Sequence, residues 1–340
     1  MKEIETFYSK LYSSDGIDKR EVTAYIDNCE VQYTLSEEEN VTCEGELKLE
    51  ECTAAVKNFK PNKSPGSDGL SGEFYKTFWD DISDIVLGSL NDGYRKGELS
   101  NTQKLGVVTL IYKKNDPLLL QNWRPITLLN LDYKIAAYVL ASRLKPLMKK
   151  LVSTDQNGYI KDRFIGYNIR QIQDVIDYSE KFNIDSCLLF LDFTKAFDTI
   201  EWDFMFSCLD KFGFGRSFIK WVKVLYTNIK GCVKNNNWLT GSYVVSRGIR
   251  QGCPLSCLIF VLAAELLAQK IRTDVHISGI SIRNRNMKIS QLADDTTLFM
   301  RYRDIRRVLS IVEQFGKVSG LQLNKSKTEG LYLGCNKEEN

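Results

Sequence analysis

Hydrophobic residues follow two different periods along this chain. Apolar residues three or four positions apart predict amphipathic helices. Short apolar or β-branched runs bounded by turn residues predict strands. The predicted helices cover residues 4–11, 47–59, 74–90, 131–151, 168–178, 218–226, 258–271 and 305–315. The predicted strands cover residues 106–112, 187–192 and 331–333, with hairpins over 229–249 and 288–300.

Local signals refine this pattern. Pro146 predicts that the helix over 131–151 bends or restarts, because proline removes a backbone donor. Asp198, three residues before Glu201, resembles the start of a helix. The turn-rich stretch 60–72 predicts a loop, and a second loop is expected to end at 123–125.

The stretch KISQLADDTTLFM, residues 288–300, places two adjacent carboxylates between two strand-like runs. Asp294 and Asp295 are expected near the tip of a tight turn. Neighbouring strand residues point to opposite faces, so one aspartate should face the site directly and the other obliquely. Taken alone, such a pair is more often an ordinary solvated turn.

A third carboxylate, Asp192, follows the apolar run CLLFL. A carboxylate at the end of a buried strand is costly unless it is solvated, paired or bound to metal. Together with Asp294 and Asp295 it would form an oxygen-rich site suited to Mg²⁺. Two such ions can promote phosphoryl transfer, a chemistry shared by nucleotidyl transferases and nucleases. The spacing alone does not choose between these two classes.

Several other residues have both a functional and an ordinary interpretation. Lys113, at a strand end, and Arg124, before a proline, could bind a triphosphate or be surface cations. The Gln251-Gly252 pair could contact a nucleotide or form a helix-entry turn. Phe197 could line a sugar pocket or belong to the core.

Composition excludes some alternatives. The chain has 340 residues, 43% of them hydrophobic, and can bury a large core divided into subdomains. Nine cysteines without a CxxC motif and a single histidine, His276, argue against a zinc site and against histidine-based catalysis. The net charge of +3 is small, but basic residues concentrate over 143–163 and 301–307. No run is long enough to span a membrane, and reduced thiols suggest an intracellular protein, in the nucleus or the cytoplasm.

Several blocks resemble a known family in order and spacing. They are NKSPGSDGLSGEFYKTFW, LIYKKNDPLLLQNWRPITLLN, DQNGYIKDRFIGYNIR, FLDFTKAFDTIEW, RGIRQGCPLS, LADD and GLQLNKSKT. This pattern is similar to the reverse transcriptases of non-LTR (LINE-type) retrotransposons, over residues 45–334. The resemblance implies an RNA-directed DNA polymerase that transfers nucleotides from dNTPs to a primer 3′-hydroxyl. Its implied partners are an RNA template, a DNA primer and dNTPs, and its implied cofactor is Mg²⁺, with Mn²⁺ as a substitute.

The implied fold is α+β, a right-hand polymerase with a small antiparallel palm sheet flanked by helices. The resemblance places a helical flank or linker at 1–59, fingers at 60–185, palm at 186–334 and a tail at 335–340. The family's thumb and primer-grip hairpin would lie beyond this chain. We therefore expect a fragment or decayed gene copy, and the alternative to an active polymerase is a catalytically poor chain that at most binds nucleic acid.

The resemblance also implies residue roles. Asp192, Asp294, Asp295 and the main chain of Phe193 match metal ligands. The nucleotide-binding residues are matched by Lys113, Arg124, Phe197, Gln251, Gly252 and Lys327, with Phe197 selecting deoxynucleotides. Arg163 matches a template contact.

Two positions depart from the family pattern. Leu292 stands where an aromatic residue usually supports the primer end, and so puts efficiency and fidelity in doubt. Asp162 stands where glycine is common.

Overall fold

The computed structural model describes residues 1–334, and the predicted tail at 335–340 lies outside them. Its helices begin with α1 (Lys2–Leu11), α2 (Lys19–Asp27), α3 (Glu37–Val41), α4 (Leu49–Lys57), α5 (Gly72–Thr77), α6 (Trp79–Lys96), α7 (Asn101–Lys104) and α8 (Leu131–Leu144). They continue with α9 (Met148–Leu151), α10 (Gly166–Lys181), α11 (Ala196–Thr199), α12 (Trp202–Lys211), α13 (Arg216–Tyr226), α14 (Ser256–Thr273) and α15 (Ile305–Ser319).

The strands within residues 1–334 form three sheets. They are β1 (Leu105–Tyr112), β2 (Trp123–Leu128), β3 (Ser186–Leu191), β4 (Lys230–Asn235), β5 (Trp238–Leu239), β6 (Tyr243–Val244), β7 (Ile280–Ile282), β8 (Arg285–Met287), β9 (Ile289–Leu292), β10 (Asp295–Met300) and β11 (Glu329–Leu333). One sheet has the order β11-β3-β10-β9 with every neighbouring pair antiparallel. This confirms the predicted small antiparallel sheet and the mixed α+β class.

The second sheet joins distant parts of the chain. Strand β1 pairs antiparallel with β2 and parallel with β4, and β5 and β6 both pair with β4. The sheet therefore crosses the predicted boundary between fingers and palm, and those domain limits stay a prediction. Helix α1 packs on this sheet through Tyr8 and Tyr12, which lie in one cluster with Val108 and Tyr243. That packing favours an integral N-terminal flank over a linker.

Most predicted elements are present, and the differences have local causes. The predicted helix 74–90 is two helices that meet at Phe78, which caps the end of α5 and the start of α6. The helix over 131–151 restarts around Pro146, as predicted. The prediction that residues 123–125 end a loop was wrong, because Arg124 and Pro125 lie in β2. Strand β2 is at the edge of its sheet, where a proline is tolerated although it has no N–H to donate to a neighbouring strand.

One large core runs through the molecule. Helix α14 lies at its centre and is buried on nearly all sides, which agrees with its continuous apolar run. The amphipathic helices α12, α13 and α15 contribute one apolar face each. No helix in residues 1–334 is both long and apolar enough to cross a membrane. This core supports the back of the antiparallel sheet, whose strand ends carry the acidic residues.

Candidate active site

The paired aspartates occupy the predicted hairpin. Asp295 is the first residue of β10 and pairs with Leu292, the last residue of β9, so that Ala293 and Asp294 form a two-residue turn. Ala293 has a φ of 58°, in the left-handed region that tight hairpins require but that alanine rarely adopts. Such strain persists only where surrounding contacts enforce it. The hairpin therefore presents Asp294 and Asp295 in a constrained geometry.

Asp192 directly follows β3, the strand that pairs with β10. The amide of Asn324 donates to Asp192 Oδ2 at 2.9 Å, and the Asn324 backbone N–H donates to the Asp192 carbonyl at 2.7 Å. Lys327 Nζ lies 3.8 Å from Asp192 Oδ2. The loop before β11 thus brings Lys327 beside this carboxylate, and its role in nucleotide binding stays a prediction.

The three carboxylates influence one another electrostatically. Burial raises the pKa of Asp294, and the charges of Asp295 and Asp192 raise it further, while Lys113 lowers it. Burial and the charge of Asp192 likewise raise the pKa of Asp295. Like charges held this close favour a bound cation or a proton. Lys113 is a nearby positive charge that partly offsets those of Asp294 and Asp295.

The main-chain carbonyl of Phe193 lies on the same side of strand β3 as the turn that carries Asp294. Phe193 forms an isolated antiparallel bridge with Leu323. The two hydrogen bonds that flank this bridge are donated by Thr194 N and Asn324 N, and neither involves the backbone groups of Phe193 or Leu323. In an antiparallel ladder, a residue in such a pair directs its own N–H and carbonyl to the opposite edge. That edge faces β10, where the hairpin carries Asp294.

This donor set fits a hard divalent cation. Carboxylate oxygens and a main-chain carbonyl are the ligands that Mg²⁺ prefers. Burial first, and then the neighbouring carboxylates, raise the pKa values of Asp294 and Asp295, and a bound cation would offset both effects. Within residues 1–334, no three acidic, histidine or cysteine side chains are arranged as a ready metal centre. The aspartates therefore share an electrostatic field without forming a closed set of ligands.

A basic hairpin lies next to the acidic residues. Arg124 pairs with Ile111 across β1 and β2, and the Lys113 backbone N–H donates to the Asn122 carbonyl at 3.0 Å just beyond the strand end. Both basic side chains are exposed. Lys113 interacts with the aspartates of the β9–β10 turn, and Arg124 with Asp198. The side chains of Lys113 and Arg124 thus lie between the acidic residues and solvent.

The loop with Gln251 and Gly252 closes another side of the site. Thr127 N donates to the Gln251 carbonyl at 2.7 Å, so the loop is joined to β2. Gly252 has a φ of 119°, and a Cβ there would lie 2.5 Å from the Thr127 carbonyl oxygen. Only glycine permits this approach. Phe197, half-buried, packs on Phe260 of α14 at a ring distance of 4.5 Å.

The site also contains a residue whose role the sequence did not reveal. Asp198 was expected to begin a helix, but it lies buried inside the short helix α11, and Glu201 precedes the next helix instead. Its Oδ1 accepts hydrogen bonds from Tyr12 Oη at 3.0 Å and from Gln251 Nε2 at 2.9 Å. Asp198 therefore connects α1 to the Gln251 loop. The sequence contained one signal that could have indicated this role, namely a carboxylate within the apolar pattern of a helix.

Arg163 differs from its predicted setting. Its guanidinium is partly buried and donates to three main-chain carbonyls, those of Val152, Ser153 and Gln156. These bonds use three of the five N–H donors of the guanidinium, which leaves fewer for the predicted template contact. The template role stays a prediction, and the bonds within the chain assign Arg163 a structural role first.

An antiparallel sheet with acidic residues at its strand ends, beside a basic hairpin, is the arrangement expected of a nucleotidyl-transferring polymerase. The family model described as "Reverse transcriptase (RNA-dependent DNA polymerase)" matches residues 111–337, and the chain belongs to this family. Membership implies a polymerase palm fold.

Similarity to individual proteins indicates which group of reverse transcriptases this chain resembles. The chain is 32% identical over 332 residues to the "Transposon TX1 uncharacterized 149 kDa protein" of Xenopus laevis, covering 97% of this chain and 25% of that protein. It is 26% identical over 268 residues to the "Retrovirus-related Pol polyprotein from type-2 retrotransposable element R2DM" of Drosophila melanogaster, covering 78% and 24%. A type-1 element R2 polyprotein of Popillia japonica is 24% identical over 292 residues, covering 85% and 40%. These findings confirm the resemblance to non-LTR reverse transcriptases, and the chain spans about a quarter of the first two relatives.

Proposed function

We propose that this chain is a template-directed DNA polymerase that adds dNTPs to a primer 3′-hydroxyl on an RNA strand. The observation that carries the proposal is the meeting of Asp192 with the Asp294–Asp295 turn, at the ends of adjacent antiparallel strands. Membership in the reverse transcriptase family supports the same reaction. An intracellular location is part of this proposal.

In this proposal, Asp192, Asp294, Asp295 and the Phe193 carbonyl hold Mg²⁺. When bound, the ions would supply the charge that activates the attacking oxygen and stabilises the leaving one. The raised pKa of Asp294 and Asp295 means that a cation must compete with protons there, so metal binding should strengthen as pH rises.

The cationic side chains would act on the triphosphate. Lys113 and Arg124 extend from the β1–β2 hairpin beside the acidic turn, and can neutralise phosphate oxygens through point-charge and forked contacts. Lys327, on the opposite side beside Asp192, would face the leaving pyrophosphate. Phe197 and the Gln251–Gly252 loop would border the sugar and base of the incoming nucleotide.

The test measures dTTP incorporation on an oligo(dT)-primed RNA template by the purified chain with Mg²⁺ or Mn²⁺. We expect incorporation by the unaltered chain, and its loss in Asp294→Asn. Asp92→Asn is the matched control, since Asp92 is a half-exposed aspartate of α6 that pairs with Lys96. This variant should keep full incorporation.

Two outcomes would contradict the proposal. Incorporation by the unaltered chain no higher than by Asp294→Asn would reject polymerase activity for this chain. If the unaltered chain then retards RNA in a gel without incorporating dTTP, the alternative of a nucleic-acid-binding chain without catalysis replaces it.

A further inference from the structure

The turn that carries the paired aspartates is held by one buried amide side chain. Gln156 Oε1 accepts hydrogen bonds from the backbone N–H groups of Ala293 and Gly158, both at 2.8 Å. Gln156 Nε2 donates to the Ala293 carbonyl at 3.2 Å. Gln156 is fully buried. One side chain thus binds both backbone polar groups of the residue that precedes Asp294.

These bonds fix the direction of the amide. Two N–H donors converge on one atom of Gln156, and only the amide oxygen can accept both. The nitrogen then faces the Ala293 carbonyl. Ala293 is the turn residue with φ of 58°. The Gln156 amide therefore satisfies the backbone of the strained residue in its left-handed conformation. Removing it leaves three backbone groups without this partner: the N–H and carbonyl of Ala293 and the N–H of Gly158.

The segment around Gln156 extends the sheet at its β9 edge. Asn157 N donates to the Gln291 carbonyl at 2.9 Å, and Gln291 N donates to the Asp155 carbonyl at 2.8 Å. Gln156 and Gln291 form a parallel bridge. A Cβ on Gly158 would lie 2.4 Å from Ala293 N, so the segment and the turn are in direct backbone contact.

Buried charges in turn hold this segment. Arg163 donates to the Gln156 carbonyl at 2.6 Å. Arg272 of α14 pairs with Asp155 at 2.9 Å and with the fully buried Glu265 at 2.7 Å. Removing one partner of such a buried pair leaves an uncompensated charge, so the segment cannot shift freely. The segment forms a rigid support between α14 and the acidic turn.

We propose that Gln156 is a positioning residue for the acidic turn, and that Arg163 acts through it. Gln156 holds Ala293 in its left-handed conformation, and this sets where the next residue, Asp294, presents its carboxylate. The inference rests on the proposed polymerase function for its kinetic consequence, but its structural part concerns the turn alone.

The experiment compares Gln156→Met with Gln103→Met. Methionine keeps the length of glutamine and removes its hydrogen bonds. Gln103 is a buried glutamine that bonds Asp132 at 2.9 Å and the Ser100 backbone at 3.0 Å, far along the chain from the turn. Hydrogen–deuterium exchange of peptides covering 289–297 measures the turn directly. We expect faster exchange there in Gln156→Met, and unchanged exchange in Gln103→Met.

Two further readouts separate positioning from general stability. Electron paramagnetic resonance of Mn²⁺ added to the purified chain should show weaker Mn²⁺ binding in Gln156→Met and unchanged binding in Gln103→Met. Steady-state incorporation should show kcat lowered about 10-fold to 100-fold with KM for dTTP little changed, because a displaced carboxylate affects the reacting geometry more than ground-state binding.

Gly158→Ala is the second variant, and it decides the matter if Gln156→Met does not fold. Its methyl group would press on Ala293 N at 2.4 Å and touch Gln156 Oε1 at 3.0 Å, while the Gln156 side chain itself is kept. It should give the same exchange and Mn²⁺ changes, whereas Gly88→Ala, where a Cβ meets nothing within 4 Å, should give neither.

Unchanged exchange over 289–297 in Gln156→Met, or in Gly158→Ala where Gln156→Met does not fold, would overturn the inference. So would equal effects of Gln156→Met and Gln103→Met on exchange there. Faster exchange together with no incorporation by the unaltered chain would instead reject the proposed function and leave the support of the turn by Gln156 standing.

Discussion

Asp198 should make the stability of this protein depend on pH in a way that one substitution isolates. The carboxyl is buried, and burial raises its pKa to about 6 from an ordinary value of 3.8. The charge of Lys195 and the hydrogen bonds from Tyr12 and Gln251 oppose that rise without cancelling it. The ionised form is thus less favourable in the folded chain than in the unfolded one.

The sign follows from proton binding. Between pH 3.8 and about 6, the folded chain holds the Asp198 proton more tightly than the unfolded chain does. Stability from this group therefore falls as pH rises through that window. At about 1.4 kcal/mol per pH unit, the cost of ionised Asp198 is about 1.6 kcal/mol at pH 5 and about 3 kcal/mol at pH 8.

Asp198→Asn removes this titration and keeps an oxygen that can accept from Tyr12 and Gln251. The excess stability of the variant over the unaltered chain should grow by about 1.4 kcal/mol from pH 5 to pH 8. Weaker neutral hydrogen bonds would shift both values equally and leave that growth unchanged. Urea unfolding followed by tryptophan fluorescence at the two pH values measures it.

A companion variant checks the assignment. Tyr12→Phe removes a hydroxyl that donates to Asp198 and lowers its pKa. It should steepen the pH dependence in the unaltered chain and have no such effect beside Asp198→Asn. A constant difference between Asp198→Asn and the unaltered chain at both pH values, or one that shrinks as pH rises, would refute the reasoning that burial outweighs the pairing with Lys195.

Other substitutions test single contacts. Gly252→Ala places a methyl group against the Thr127 carbonyl oxygen and should lower incorporation at least about 10-fold by displacing the nucleotide loop. Gly88→Ala, in the open middle of α6, should instead stabilise the chain by about 0.5–1 kcal/mol in urea unfolding. Arg143→Met removes a buried guanidinium that pairs with Glu51 at 2.6 Å, and should lower the free energy of unfolding by about 3–5 kcal/mol. Arg143 also donates to the carbonyls of residues 43–46, so unchanged stability in Arg143→Met would contradict the expected cost of leaving these acceptors and Glu51 without their donor.

The sequence could predict the acidic hairpin and strand β3 because both patterns are local. Apolar runs interrupted by aspartates determine where strands end, and strand ends place Asp192 and Asp294 at one edge. The resemblance added the roles that no periodicity contains, such as those of Lys113 and Lys327. The structure places both lysines beside the acidic residues, as their electrostatic interactions show.

The contacts that the sequence could not predict depend on distant parts of the chain. Strand β2 is short, contains Pro125, and forms because β1 offers an edge to pair with. Asp198 bonds a tyrosine that lies 186 positions away, and Gln156 bonds a turn residue 137 positions away. Neither the hydrophobic period nor local turn chemistry reports such pairs, because both depend on neighbours within a few residues.

Asp162 illustrates how the structure changes the interpretation of a departure from the family pattern. From the sequence, it is an acidic residue next to the predicted template contact Arg163. Its φ is 64°, in the left-handed region where glycine is favoured and aspartate is among the tolerated alternatives. Its carboxylate pairs with Lys149 at 2.7 Å, which lowers the pKa of Asp162 and offsets its charge locally. The backbone conformation at this position thus explains the glycine of the family, and aspartate can adopt the same conformation. The negative charge of Asp162 is paired with Lys149 of the same chain and does not face the template unpaired.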